Sequence, residues 1–252
     1  IMARQNGIIK LKGTIGGISF YKTSDGHLAR EKGGVDKSRI ANDPAFQRTR
    51  ENGAEFGAAG KGGKLVRNAI RILLQNAKDK RVVSRLTTDL LKIVKTDTTN
   101  ERGSRTIQDG NLELLKGFEF NINGKLGATL FTPFTEVFAR PTGEAVLSIA
   151  PFAPAIRIGA PAGTTHFKIV MGAAEIDFTA ETAVFESDET TVLPYDNADT
   201  AQIDLMAALT ANSVLPVIQV LGIEFYQEVN GTMYPLKNGS YNALSVIDVD
   251  VV

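Results

Sequence analysis

Thr96-Asp97-Thr98-Thr99-Asn100-Glu101-Arg102-Gly103-Ser104-Arg105-Thr106-Ile107-Gln108-Asp109-Gly110 is the stretch on which the reading of the fold turns. It is polar, and the texture of the chain differs on its two sides. That makes it the expected linker between a basic α/β part, residues 1–105, and an acidic β domain, residues 106–252.

Upstream, apolar residues recur at helical spacing. Val66, Ile70, Leu73 and Ala77 form one stripe, with Lys64, Arg67, Arg71 and Lys78 opposite it. Val83, Leu86, Leu90 and Ile93 form a second near Lys80–Lys95, with Arg81, Arg85, Lys92 and Lys95 on another face. Two amphipathic helices with basic outer faces are expected. Before them, Pro44 suits a first helical turn with Asp43 as N-cap, Phe46–Phe56 reads as a helix, and Gly57–Gly63 reads as a break. The chain opens as β-structure. Ile8–Lys12 and Ile18–Lys22 flank Gly13-Thr14-Ile15-Gly16-Gly17, and Ser24-Asp25-Gly26 turns into His27–Arg30. This predicts a three-stranded meander, too poor in large apolar residues to be stable alone.

Downstream, short β-type runs follow at roughly even spacing, punctuated by glycine, proline and asparagine. They are Phe118–Ile122, Gly127–Phe131, Glu136–Phe138, Ala145–Ile149, Phe167–Met171, Ile176–Phe178, Val184–Glu186, Thr191–Leu193, Ile203–Met206, Val214–Val220, Glu224–Val229 and Ala243–Val252. The expected class is α+β: an N-terminal β-meander with amphipathic helices, then an antiparallel β-sandwich, immunoglobulin-like or jelly-roll-like.

A net charge of zero conceals a strong polarity. Residues 1–105 hold 22 Lys/Arg against 10 Asp/Glu, net +12, and residues 106–252 hold 6 against 18, net −12. Either the basic half meets a polyanion or it meets the acidic half of another copy. Arg67, Arg71, Arg81 and Arg85 are the candidates on the basic side, and Glu186, Asp188, Glu189, Asp196 and Asp199 on the acidic side.

Little else in the chain carries chemistry. Cysteine is absent, which excludes disulfides, thiolate metal sites and cysteine nucleophiles. His27 and His166 fall in different expected domains, against a two-histidine metal site or a serine–histidine triad. Gly57-Ala58-Ala59-Gly60-Lys61-Gly62-Gly63-Lys64-Leu65 evokes a phosphate loop, but five residues separate Gly57 from Gly63 and Leu65 replaces the hydroxyl residue. A flexible connection is the better reading, with Lys61 and Lys64 beside it as anion contacts. Glu186, Asp188, Glu189, Asp196, Asp199 and Asp204 gather without an Asp-x-Asp-x-Asp-Gly calcium loop, and read as a solvated or partner-facing rim. Asn230-Gly231-Thr232 and Asn238-Gly239-Ser240 read as turns rather than glycosylation sites. No catalytic, cofactor or metal residue is expected. Neither a signal-peptide core nor about 20 consecutive apolar residues occurs, so the default expectation is a cytoplasmic protein with no membrane span.

The opening carries one resemblance. Asn6-Gly7-Ile8, Gly13-x-Ile15-Gly16-x-x-Ser19-Phe20-Tyr21, Lys32-Gly33-Gly34-Val35 and Arg39-x-x-x-Asp43-Pro44-x-Phe46-x-x-Thr49-Arg50-Glu51-Asn52 together resemble a group of uncharacterised proteins from Bacteroidota. In that group a glycine-rich β-hairpin opening precedes an Asn/Asp-Pro helix start and a β-rich C-terminal part. The resemblance spans roughly residues 6–75 and implies no catalytic residue.

The leading functional expectation is a non-enzymatic structural subunit that self-assembles head to tail into a filament, ring or shell. A nucleic-acid-associated protein using the basic helices is the first alternative. It is disfavoured because Gly57–Arg105 contains no Phe, Tyr or Trp on which bases could stack. A β-sandwich adhesin or carbohydrate binder is the second, with Tyr195, Tyr226, Tyr234 and Tyr241 as the aromatic candidates in a chain without tryptophan.

Overall fold

The computed structural model describes residues 2–251; Ile1 and Val252, the latter at the end of the strand expected over Ala243–Val252, lie outside the described residues. The chain divides into two compact units, Ile1–Arg50 and Glu51–Val252.

The first unit is an antiparallel sheet of β1 (Met2–Arg4), β2 (Gly13–Ile15), β3 (Ile18–Thr23) and β4 (Gly26–Glu31) in the order β1-β4-β3-β2, followed by α1 (Lys37–Asn42). The glycine turns fall where the sequence puts them: Gly16 has φ 57° and Gly26 φ 111°. Ile8–Lys12, however, is not a strand. Gln5 holds that segment as a loop, its Oε1 accepting from the Leu11 amide at 2.8 Å and its Nε2 donating to Leu28 O at 2.9 Å; β2 takes the expected place beside β3, and β1 adds a fourth strand against β4. Asp36 caps α1 by accepting from Ser38 N at 2.8 Å. Asp43 does the same for a 3-10 turn at Pro44–Phe46, accepting from Ala45 N at 2.9 Å. Among described residues 3–50 no side chain is buried.

The second unit has three layers. Helices α2 (Gln47–Ala69), α3 (Arg71–Leu74) and α4 (Val82–Thr96) form the first; α2 begins just before the boundary between the units. After them come β5 (Thr135–Ala139), β6 (Glu144–Ile149), α5 (Pro154–Arg157), β7 (His166–Asp177), β8 (Thr182–Glu189), β9 (Leu193–Pro194), β10 (Ile203–Ala208), β11 (Val217–Val229), β12 (Thr232–Pro235) and β13 (Ala243–Asp250). The long strands β7 and β11 pair centrally; β8 and β9 lie on the β7 edge, β12 and β13 on the β11 edge. A three-stranded antiparallel sheet, β10-β6-β5, forms the third layer.

Alternation along β7 serves both neighbouring layers. Val170, Ala174 and Ile176 join Val66, Ile70, Leu86, Leu90 and Ile93 in one core, while Phe167, Ile169, Met171 and Ala173 join Leu147, Ile149, Ile203 and Leu205 in another. A strand buried on both faces reads as a continuous apolar run, as β7 does. The α+β class therefore holds, with its meander, its helices and two antiparallel sheets facing each other across a core. In β13 the simple alternation breaks: the ladder slips between Gln219 and Val220, so Val249 joins Leu244 and Val246 in the helix-side core despite its opposite parity.

Four expectations need correction. The division at 105/106 does not occur, because α2, α4 and the large sheet share one core; within Thr96–Gly110, Asp97 is 1% exposed and Ile107 is buried. Gly57–Gly63 is not a break but the middle of the 23-residue α2. Its glycines admit close packing, since a methyl on Gly62 would overlap the Ile107 side chain. Phe118–Ile122 and Gly127–Phe131 are irregular, with single bridges at Glu119–Ser245 and Leu130–Ile158. Two pairs of expected strands are single strands instead, merged into β7 and β11. Gly172, which reads as punctuation, makes room inside β7: a Cβ there would lie 2.7 Å from the Phe185 ring and 2.9 Å from Leu73.

Limited trypsin digestion should therefore cut first after Lys32, in the exposed segment 32–36 between β4 and α1, and later within 96–110. Early cleavage at Arg102 or Arg105 would contradict the closed loop.

Candidate functional site

The four arginines expected to form a basic docking face do not behave alike. Arg85 belongs to the fold: half-buried, it pairs with the Asp79 carboxylate, donates to Glu119 O and to Phe120 O at 3.3 Å, and lies 5.1 Å from the centre of the Phe118 ring. Burial alone would raise the Asp79 pKa, but the amides of Ile122 and Arg81 and the Arg85 guanidinium outweigh it and hold the carboxyl below its usual range. Arg67 folds back on its own helix, donating to Gly63 O at 2.7 Å, and burial lowers its pKa. Arg71 and Arg81 remain exposed. Exposure also corrects the α4 stripe: Val82 is buried and Val83 is 51% exposed, because Leu86 and Leu90 continue back to position 82 at a spacing of four.

The acidic candidates divide similarly. Glu186 on β8 and Asp199 beyond β9 are exposed, and Asp196 is exposed while accepting from Ala198 N at 2.9 Å. Asp188 is half-buried and accepts from Met206 N at 3.0 Å, tying β8 to β10. Glu189 pairs with Lys168 at 2.8 Å. Asp204, on β10, accepts from Ser148 Oγ at 2.7 Å and from Gln202, which lower its pKa.

Lys168 also lies 3.8 Å from Glu224, which is buried on β11 and accepts from Asn76 Nδ2 at 2.8 Å and Tyr226 Oη at 2.6 Å. Burial, and then the Glu224 carboxylate, push the Tyr226 phenol up. Asn242 extends the network, donating to Asn76 O at 3.0 Å and accepting from Phe225 N at 3.0 Å. A cavity of about 210 Å³ adjoins these groups. Both Glu224 oxygens are already engaged, so the network fastens the α3–α4 connection to β11.

A larger cavity, about 400 Å³, opens beside α2. Its helix wall includes Gly57, Ala58 and Lys61; its other walls are Arg105–Gln108 and Phe178–Glu181 from the β7–β8 turn. The Arg105 wall is placed by Asp97, which follows α4 directly. Asp97 Oδ1 accepts from Thr99 N and Asn100 N at 2.8 and 3.0 Å, and Oδ2 from Thr106 N and Asn100 Nδ2, both at 2.9 Å. Burial would raise the Asp97 pKa, but these donors reverse the effect and hold it at about 2. Glu55, 2% exposed on α2, accepts from Gly103 N at 3.0 Å and closes the loop against the helix.

The remaining sequence candidates do not converge. The Gly57–Leu65 amides are spent on the α2 ladder, so they form no phosphate loop. His27 lies on β4 of the first unit and His166 at the start of β7 in the second. Among the described residues no group of three or more His, Asp or Glu is placed to hold a metal ion, and no helix is long and apolar enough to cross a membrane. The Tyr195 hydroxyl donates to Ile158 O at 3.0 Å, while Tyr234 and Tyr241 are 54% and 42% exposed. Sequence reasoning missed Arg105, Gln108 and Phe178 as neighbours; the available signal was the run of small residues in α2. No protein family, curated protein or solved structure matches the chain.

Proposed function

We propose that this protein is a non-enzymatic structural subunit that associates head to tail with copies of itself, the first unit of one copy docking on the acidic surface of the second unit of the next. The observation that carries this reading is the coreless first unit. A four-stranded sheet with no buried side chain among residues 3–50, and with Ile8 at 103%, Ile9 at 79% and Ile15 at 62% exposure, lacks the apolar burial that stabilises a sheet. Covering those isoleucines would contribute about 1.5–3 kcal/mol each. The β1 and β2 edges of that sheet also present main-chain groups to a further strand.

Charge favours the acidic surface of the second unit as its cover. Residues 1–50 hold 10 Lys/Arg against 4 Asp/Glu, net +6, and residues 51–252 hold 18 against 24, net −6. Glu186, Glu189, Asp196 and Asp199 are the exposed carboxylates of the expected acidic set, and Glu189 is paired with Lys168. Arg71 and Arg81 are the arginines left to assist, since Arg67 and Arg85 serve the fold.

Light scattering at low and high salt tests the reading. The wild type should run heavier than a monomer at low salt. It should dissociate in part at 1 M salt, where the Debye length falls to about 3 Å. Glu186→Lys, Asp196→Lys and Asp199→Lys combined should weaken association about tenfold at low salt, from three exposed pairs turned repulsive. Arg71→Glu with Arg81→Glu should weaken it less. A wild type that stays monomeric at high concentration and low salt would instead favour a binding module, to be tested by gel shift with duplex DNA.

A further inference from the structure

Ile8 and Ile9 form an apolar tip on a loop that is fixed at its base. Gln5 clamps that loop through the Leu11 amide and Leu28 O, and Lys10 Nζ donates to Gln5 O. At 103% and 79% exposure the two side chains touch almost nothing of their own chain, and the exposed cations Lys10 and Lys12 follow them closely. A pinned loop has little freedom left to lose on docking, so apolar side chains at its tip contribute most of their burial to association. In the second unit, a cavity of about 410 Å³ opens between the segment from the end of β6 through α5 and the loop from β9 to β10. Pro133, Pro151, Phe152 and Ile156 give it apolar walls, and Ile156 is 68% exposed. Its two sides are tied together, Ala155 N donating to Asp196 O at 2.8 Å and Thr200 N to Phe152 O at 2.9 Å. The cavity is therefore formed before anything enters it. Asp199 lines it against Arg157, and the exposed Asp196 lies on the same loop as Asp199.

We propose that this cavity is the socket for the Ile8–Ile9 tip of the next copy, with Lys10 and Lys12 lying towards Asp196 and Asp199. The assignment rests on the head-to-tail association and names its apolar seat. Other cavities of the second unit suit a basic apolar loop less well. Those beside α2 and around Lys125 are lined by more cations than carboxylates, the one beside Glu224 has about half the volume, and the one between Asp188 and Asp204 has chiefly polar walls. An apolar tip that fits a pocket elsewhere on the same molecule makes a heterologous contact, which repeats from copy to copy. Two copies joined tip to tip would instead set Lys10 and Lys12 against their own counterparts.

The chain has no cysteine, so single introduced thiols report contact between copies. Full-length chains carrying Ile8→Cys alone and Ile156→Cys alone, one tagged to differ in mass, are mixed at low salt and mildly oxidised. The mixed disulfide should form at least about tenfold faster than with Ile72→Cys, which replaces an isoleucine of the same 68% exposure on α3, and should exceed both like-with-like products. In sedimentation, Ile8→Asp with Ile9→Asp, and separately Ile156→Asp, should each weaken association at least about tenfold. Ile72→Asp should leave it unchanged. A mixed disulfide no faster than the Ile72→Cys control, a predominance of disulfides between two Ile8→Cys chains, or association indifferent to a folded Ile156→Asp would each overturn the socket, while an associating wild type would keep the head-to-tail reading. A wild type that stays monomeric at high concentration and low salt would overturn both. The disulfide rates decide alone if an aspartate variant fails to fold.

Discussion

Shortening the chain to residues 43–252 is expected to leave a folded protein that no longer associates under conditions in which the full chain does. The cut keeps Asp43 and Pro44, and so preserves the capped 3-10 turn that starts α2. It removes all four strands of the first unit and α1. Both apolar clusters are built from residues beyond position 50, so the core should survive and Tm should move by no more than about 2 °C. Association should weaken at least a hundredfold, about 3 kcal/mol, because the loss includes the exposed isoleucines, the two free sheet edges and five net positive charges at once. Sedimentation and thermal unfolding of both chains would decide. A shortened chain that assembles as tightly as the full one would remove the first unit from the interface; one that cannot fold would show that the second unit lacks an independent core.

The largest effect of a single substitution on stability is expected at Asp97. Asp97→Ala leaves the amides of Thr99, Asn100 and Thr106 without their acceptor in a site that is 1% exposed. Loss of several charge-assisted bonds there should cost about 3 kcal/mol, lowering Tm by roughly 6–12 °C in a unit of this size. The carboxyl pKa is depressed from 3.8 to about 2, so the charged form is the stabilising one. Its contribution, about 2 kcal/mol from the shift alone, is present above pH about 4 and is lost as pH falls through about 2. Urea unfolding from pH 2 to 6 should show a constant gap between wild type and Asp97→Ala above pH about 4.5 that narrows below it. A gap that ignores pH would mean the carboxylate's charge contributes nothing.

What could be read in advance was periodic and local. The stripe Leu86, Leu90 and Ile93 gave α4 directly, and Asp43 with Pro44 marked the start of the helical region. The β-runs from Glu136 onward mostly fall on strands because alternation shows wherever one face meets solvent, as in β6 and β10. Reading failed where tertiary packing reverses a local preference. Glycines 57–63 break helices in isolation but let α2 approach the Arg105–Gln108 wall. The polar run at 96–110 resembles a linker because its polar groups satisfy one another around Asp97, a pairing that sequence spacing does not reveal. For the same reason Arg85 looked like a docking residue: its partners Asp79, Glu119 and Phe120 lie outside its own helix.

The five glycines of α2 also bear on the order in which the chain folds. Each lowers intrinsic helicity by about 0.8–1 kcal/mol relative to alanine, some 4–5 kcal/mol over the helix. As a free segment α2 is therefore coil, although it is made before the strands it packs on. The groups that hold it come later: Ile107 against Gly62, the Gly103 amide on Glu55 and the β-sheet face that completes its core. During translation α2 must wait for β7 and β11 before it becomes a helix. Until β11 emerges, the basic N-terminal half of the nascent chain remains open, its aliphatic stripes uncovered, and in reach of chaperones or of neighbouring nascent copies.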